Sequence, residues 1–160
     1  MSNIAILSIK PEYSSKILSG SKTMELRHST LGLKKDDIIM VYESAPKQSL
    51  GFWFRIAATE VLPVSEMWRR HSDRLGIDFE SYTTYFNGFE EAAGFHIGEI
   101  YVLTPPIPLL KIKELVPDFV PPQGIIWVRD NVLRFKKLLR EISPPIPIGS
   151  IPQKVLFSDL

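Results

Sequence analysis

Short apolar runs and amphipathic segments alternate along this chain and predict strands and helices in mixed order. Ile4–Ile9 is an Ile-rich run of strand length that ends at Lys10 and Pro11. Pro11 suits the first turn of a helix over Glu12–Ser19, and Gly20 is a natural terminator after its last turn. The chain therefore opens with a buried strand, a short helix and a tight turn.

The next eighty residues predict three more strands and two helices. Gly51–Val61 alternates aromatic and β-branched residues over a length that suits a long central strand. Gly94 and Gly98 predict a bulge or a close backbone approach inside a later strand. The predicted strands are Ile38–Tyr42, Gly51–Val61 and Ala92–Leu103, and the predicted helices are Val64–Arg74 and Asp78–Phe86, with Asp78 as a cap.

The last third of the chain is rich in proline. The prolines of segment 105–122 predict extended and turn conformations, and the apolar residues between them predict a wrap that packs on the body. An amphipathic helix is predicted over Leu133–Ile142. The remaining expectations are a strand over Gly124–Val128, a helix stop at Pro144, Pro145 and Pro147, and an edge strand over Val155–Phe157.

The order of these elements predicts an α+β fold in a single domain over residues 1–160. The chain is 44% hydrophobic, which suffices for one core. Several strands with inserted helices and a proline-rich return favour a small mixed β-barrel that carries peripheral helices.

Charge and cysteine content narrow the class of partner. Lys and Arg number 19 against 18 Asp and Glu, so any nucleic-acid binding must depend on a local patch. The absence of cysteine favours a reducing compartment. No apolar run approaches the roughly 20 residues that span a bilayer. We therefore expect a soluble, cytoplasmic protein with no membrane partner, as a monomer or weak homodimer.

The densest candidate chemistry lies between Gly20 and Arg27, directly after the first predicted helix. If residues 22–28 form a strand, Thr23, Glu25 and Arg27 share one face, and Lys22 enters from the turn. Arg27 offers a planar fork and Lys22 a point charge for a phosphate, while Glu25 accepts hydrogen bonds from an exocyclic amine. The alternative is a surface Glu25–Arg27 pair worth roughly 0 to 1 kcal/mol.

This segment carries a resemblance to a known family. Leu7-Ser8-Ile9-Lys10-Pro11 followed by Gly20-Ser21-Lys22-Thr23-Met24-Glu25-Leu26-Arg27 resembles the opening of the ASCH family, whose recurrent pattern is Gly-x-Lys-x-x-Glu-x-Arg. All four marked positions match, and the likeness extends over most of residues 4–128. The family is similar to PUA-like domains, which are pseudo-barrels that bind RNA.

The resemblance implies a module that binds RNA or single-stranded nucleic acid, or a nucleoside or nucleotide, without a cofactor. The expected site is Lys22, Thr23, Glu25 and Arg27, joined by Tyr42, Ser44 and Trp53 from neighbouring strands. His28, His71 and His96 do not show metal-ligand spacing, so no metal is expected.

Two other functions stay open. A hydrolase acting on an acylated nucleoside or on RNA would use the same cleft, with Lys22 as base and Glu25 orienting water. The resemblance places a threonine in hydrolytic relatives where this chain has Glu25, which favours binding over covalent amide hydrolysis. A protein-interaction module would instead present the proline-rich segment 105–122.

Overall fold

A single mixed sheet with helices packed around it forms the body of the protein. The computed structural model describes residues 3–142 and 146. Within them lie six strands and five α-helices. These are β1 (Ile4–Ile9), α1 (Pro11–Ser19), β2 (Met24–Arg27), β3 (Ile38–Glu43), β4 (Ser49–Pro63), α2 (Val64–His71), α3 (Phe79–Tyr85), β5 (Glu91–Pro108), α4 (Leu109–Leu115), β6 (Ile125–Trp127) and α5 (Val132–Glu141).

The sheet has the strand order β2-β5-β4-β3-β1-β6 and forms a half-barrel. β1 runs parallel to β3, and the other neighbouring pairs are antiparallel. The predicted α+β fold, a PUA-like mixed barrel with helices around it, is confirmed in this half-barrel form.

Alternation along β4 supplies both faces of the sheet. Phe52, Phe54 and Ile56 are buried in a cluster with β1 and α1 residues. Trp53, between them in sequence, is buried in a second cluster with α4 and α5 residues. The long central strand predicted from residues 51–61 is therefore confirmed, with its two faces assigned as alternation requires.

Short-range signals place the first helix. Pro11 occupies its first turn, and Gly20 follows it in the left-handed conformation with φ of 87°. The Gly20 N–H donates to the Ile17 carbonyl at 3.2 Å, which satisfies a carbonyl of the last turn. This turn leads directly into the segment of Lys22 to Arg27.

The proline-rich segment differs from its prediction. Residues 105–108 continue β5, and residues 109–115 form α4, where only an irregular wrap is expected from the sequence. Ile112 and Val116 of this region are buried in the core, so packing stabilises this helix. The neighbouring prolines prevented its prediction from the sequence. Pro144, Pro145, Pro147 and the predicted strand Val155–Phe157 lie outside the described residues.

The bulge predicted at the glycines of β5 is present. The β4–β5 register shifts on both sides of Ile56, which pairs with Ile97 next to Gly98. A Cβ at Gly98 would lie 2.9 Å from the Arg55 carbonyl oxygen, so only glycine permits this backbone approach. In the part of the chain that the structure describes, no helix has the length and apolarity needed to cross a membrane.

Candidate functional site

A cleft of about 580 Å³ opens where β2, the β1–α1 junction and α3 meet. Its walls combine charged, hydroxyl and aromatic side chains from all three regions. They are Ser8, Ile9, Lys10, Glu12, Tyr13, Lys22, Glu25, Leu26, Arg27, Ile77, Glu80, Ser81, Thr84 and Tyr85.

Lys22 is the buried cation of this cleft. Only 3% of the residue is exposed. Its Nζ donates to the Leu75 carbonyl at 2.6 Å and lies 5.5 Å from the centre of the Tyr13 ring. Its backbone N–H donates to Lys16 at 3.0 Å, which ties the residue to the end of α1. The ammonium is therefore held in one place rather than free on a flexible stem.

Burial makes this ammonium easier to deprotonate. Desolvation lowers the pKa of Lys22 below its ordinary value, and the charges of Arg27 and Lys16 lower it further. The nearby Glu25 carboxylate acts in the opposite direction and is outweighed. Lys22 therefore combines two properties of a functional lysine, a fixed position and a depressed pKa.

Gly76 makes room for the stem of Lys22. It has φ of 62°, and a Cβ there would lie 2.7 Å from the Cβ of Lys22. Its carbonyl accepts from the Lys16 Nζ at 2.9 Å. The loop after α2 thus positions the site lysine, and no pattern in the sequence links residue 76 to residue 22.

Glu25 and Arg27 each carry a buried polar atom with no protein partner among the described residues. Oε1 of Glu25 accepts from the Leu26 N–H at 2.9 Å, but Oε2 has no partner. Nη2 of Arg27 donates to the Ser8 carbonyl at 3.0 Å, whereas Nε is unpaired. Buried polar groups are nearly always hydrogen-bonded, so one unmatched acceptor and one unmatched donor in the same cleft point to a ligand.

The Arg27–Ser8 hydrogen bond also connects two strands that are not neighbours. β2 is at one edge of the sheet, while β1 is bonded to β3 and β6. The guanidinium therefore links β2, at the edge of the sheet, to β1, and both residues line the cleft.

The cleft wall carries both signs of charge. Lys10, Lys22 and Arg27 face three carboxylates, those of Glu12, Glu25 and Glu80. A simple anion site would not need these carboxylates. The mixture suits a ligand that has a phosphate and also hydrogen-bond donors, such as the amino group of a base.

Strand alternation fails at the start of the motif, which changes the predicted grouping. β2 begins only at Met24, so Lys22 joins Glu25 and Arg27 in the cleft. Thr23 instead accepts from the Arg74 Nε at 2.9 Å and is not part of the cleft wall. The expected ligand contact from Thr23 is corrected, because residues 22 and 23 belong to a turn that the 74–76 loop holds.

Three other expected ligand residues lie elsewhere. Tyr42 and Trp53 are 2% and 1% exposed and belong to the core cluster beneath α4 and α5. Ser44 follows β3 and does not line the cleft. The prediction that these side chains reach the site is corrected: Tyr42 and Trp53 face the opposite side of the sheet, and the loop after β3 places Ser44 outside the cleft wall.

The sequence prediction missed the helical wall of the cleft. This wall consists of Tyr13 of α1 and of Glu80, Ser81, Thr84 and Tyr85 of α3. The sequence signal in this region is the apolar stripe of α3, which predicts a helix but not a cleft. Desolvation, together with a hydrogen bond to Glu12, raises the pKa of Tyr13 to about 12. Its phenol therefore stays neutral at physiological pH.

A second polar cluster lies outside the cleft. Glu60 contacts His96 Nε2 at 2.6 Å and His71 Nε2 at 3.2 Å, and the three ligand-type atoms lie within 4.8 Å of one another. Nη2 of Arg74 lies 3.3 Å from His96 Nδ1. A guanidinium only donates, so Nδ1 accepts, and the ring proton sits on Nε2 facing Glu60. The cluster is a hydrogen-bonded network, and its three residues are also close enough together to hold a metal ion, which their spacing in the sequence does not indicate.

The Glu60→Gln variant is expected to lose roughly 1 kcal/mol of unfolding free energy at pH 7, a charge-assisted contribution reduced by partial exposure. Burial alone raises the pKa of Glu60, but the hydrogen bonds from His96 and His71 hold it below 4.5. The stabilisation is therefore present above pH 4.5 and is lost as the pH falls through the depressed value. Urea unfolding at several pH values measures it.

Glu66→Gln is the matched control, because Glu66 pairs with Arg69 on the exposed face of α2. We expect a smaller loss there. Equal losses in the two variants would show that the Glu60 network contributes nothing beyond a surface pair.

Comparison with known proteins agrees with this architecture. The model of the ASCH domain family matches residues 7–103. An ASCH domain-containing ribonuclease of Zymomonas mobilis subsp. mobilis is 31% identical over 126 residues, which cover 78% of this chain and 84% of that protein. The crystal structure of ASCH from Zymomonas mobilis superposes with a TM-score of 0.79 at 28% identity and covers 88% of this chain and 96% of that one.

The fold and the cleft define an α+β half-barrel domain with a charged pocket on its open side. The family match covers more than half of the chain, and it includes the segment from Gly20 to Arg27. This protein belongs to the ASCH domain family, and the predicted family membership is confirmed.

Proposed function

We propose that this protein binds single-stranded RNA in the cleft between β2 and α3. The proposal is carried by one observation, which is that Lys22, Glu25 and Arg27 line the same cleft while Arg27 Nε and Glu25 Oε2 are buried without a partner among the described residues. The 31% identity to a protein named as a ribonuclease supports RNA as the ligand class.

Each side chain has a distinct task in this proposal. Lys22 and Arg27 neutralise a phosphate, and the Arg27 guanidinium adds directional donors. Glu25 accepts from a base amine, which a phosphate alone does not offer. A cavity of about 580 Å³ suits a nucleotide of a single strand, whereas the grooves of a duplex would present paired bases.

Affinity should depend on the protonation of Lys22. The ammonium carries the attractive charge, and burial lowers its pKa from 10.5. We therefore expect retention of a labelled single-stranded RNA on a filter to fall as the pH rises towards 10.5, and also to fall with salt. Thermal melts at the same pH values check that the protein stays folded. Absence of saturable retention at low salt and neutral pH would overturn the proposal.

Cleavage of the bound RNA is a second candidate, favoured by the depressed pKa of Lys22. A neutral Lys22 amine could take the proton of a ribose 2′-hydroxyl. The 2′-oxygen then attacks the adjacent phosphorus and the bond to the 5′-oxygen breaks. The products are a 2′,3′-cyclic phosphate and, once the leaving oxygen takes up a proton, a 5′-hydroxyl end.

Binding and cleavage respond to pH in opposite directions. Deprotonation of Lys22 weakens the attraction for phosphate but supplies the base, so the rate per bound RNA rises while the affinity falls. Mass spectrometry of an incubated RNA shows which ends form. Intact RNA at every pH leaves binding as the function, and release of the acyl group from acylated nucleosides in parallel samples would favour the other hydrolase.

A further inference from the structure

Three aromatic rings stack in a line at the rim of the cleft. His28 lies 4.1 Å from the Tyr85 ring with an interplanar angle of 18°, and 3.9 Å from the Phe89 ring with an angle of 2°. Two rings this close and nearly parallel to the same imidazole must occupy its opposite faces. We call Tyr85, His28 and Phe89 the aromatic column.

All three side chains of the aromatic column are exposed. Tyr85 is 37% and Phe89 47% exposed, and His28 is exposed as well. Two hydrogen bonds order it: His28 Nε2 lies 2.7 Å from the Tyr85 carbonyl, which orients the imidazole, and the Phe89 N–H donates to the Phe86 carbonyl at 2.9 Å, which holds the backbone that carries the third ring. Rings ordered before binding lose little conformational entropy when a ligand stacks on them.

The column is continuous with the charged cleft. Tyr85 lines the cleft, and His28 directly follows Arg27 in the chain. Burial raises the pKa of the Tyr85 phenol, and the charges of Arg27 and Glu25 also act on it, which agrees with this proximity. A flat aromatic surface therefore adjoins the groups assigned to a phosphate.

We propose that the aromatic column is a stacking subsite for an unpaired RNA base next to the nucleotide in the cleft. This inference rests on the proposed RNA binding and makes it specific, since a base can stack on a protein ring only when it is free of its own helix. Aromatic stacking tolerates any base, so the column adds affinity for a single strand without reading its sequence.

Charge complementarity favours RNA as the occupant of this surface. A segment of protein would also cover apolar rings, but it would not match a flat ring stack that begins beside Arg27 and adjoins the cleft of Lys22. Each nucleotide of a nucleic acid offers a planar base for the aromatic column and an anionic phosphate for the neighbouring cations.

The test compares a fluorescein-labelled decamer of adenosine nucleotides with a decamer of the same ribose-phosphate backbone without bases. Tyr85→Leu and Phe89→Leu keep an apolar side chain and remove the ring. The control is Phe79→Leu, because Phe79 is 57% exposed on the same helix as Tyr85 but packs on Trp68 outside the column.

We expect each column variant to bind the adenosine decamer roughly 5- to 100-fold more weakly, the range that the loss of one stacked base corresponds to. For Phe89→Leu, whose residue does not line the cleft, affinity for the decamer without bases should not change, and neither should the salt dependence, because the phosphate contacts remain. Phe79→Leu should bind both probes like the wild type. Thermal melts of all three variants monitor folding. Phe89 lies outside the helices, so we expect Phe89→Leu to disturb folding least.

The outcomes separate this inference from the proposed function. Wild-type protein that retains neither probe overturns both. Wild-type protein that retains both probes, with a Phe89→Leu variant that matches it or loses both probes equally, overturns the stacking subsite alone. The same loss in Phe79→Leu would also overturn it.

Discussion

Replacing Lys22 with methionine will weaken retention of single-stranded RNA about 10- to 100-fold, because a charge-assisted hydrogen bond in a desolvated site is worth roughly 1.5 to 3 kcal/mol. Methionine matches the length of the buried stem that Gly76 accommodates but removes the charge. Filter binding at fixed pH and salt measures the effect. Under the cleavage alternative, the same variant also stops product formation.

Lys16→Met is the matched control for this result. Lys16 donates to the Gly76 carbonyl at 2.9 Å, one residue from the carbonyl that Lys22 contacts, but it does not line the cleft. Both variants lose one positive charge, so a difference between them reports position and not net charge. Both should melt as one cooperative transition. Equal retention of RNA by the wild type and Lys22→Met would remove Lys22 from the site.

Trp53→Ala will destabilise the protein by about 3 to 5 kcal/mol, the range for truncating a large aromatic residue in a packed core. Trp53 is 1% exposed and stacks on Tyr101 with ring centres 4.2 Å apart. Small domains have only roughly 5 to 15 kcal/mol of stability, so much of it would be lost. Urea unfolding followed by circular dichroism measures the change.

Trp53→Phe separates packing from ligand contact. Phenylalanine retains an aromatic ring for Tyr101, so we expect a smaller loss of stability and wild-type RNA affinity. A folded Trp53→Phe protein that no longer binds RNA would instead place Trp53 at the ligand, as the sequence alone suggests.

Local signals predict much of the half-barrel. Helix α1, the long strand β4 and the bulge beside Gly98 follow from Pro11, from alternating aromatic residues and from glycine inside a strand. Asp78 caps α3 by accepting from the Ser81 N–H at 2.7 Å, as its position predicts. These features depend on neighbours in the chain, so the sequence carries them directly. Helix α4 is missed because only its contacts with the core stabilise it.

The site is predicted less completely, for a physical reason. Lys22, Glu25 and Arg27 are recognisable because they are adjacent in sequence. Their environment is not, since Leu75 and Gly76 hold Lys22 from more than fifty residues away. Alternation also misplaced Thr23, because a residue in a turn points where its hydrogen-bond partner lies.

The sequence by itself determined the family, the α+β class and three of the six charged residues that line the cleft, which are Lys22, Glu25 and Arg27. Each of these is encoded in local pattern or in a short motif. Only the tertiary structure decided that Lys22 is desolvated, that Tyr42 and Trp53 belong to the core, and that His28 stacks between Tyr85 and Phe89. Burial and ring contacts join segments that are far apart in the chain, so they exist only in the folded half-barrel.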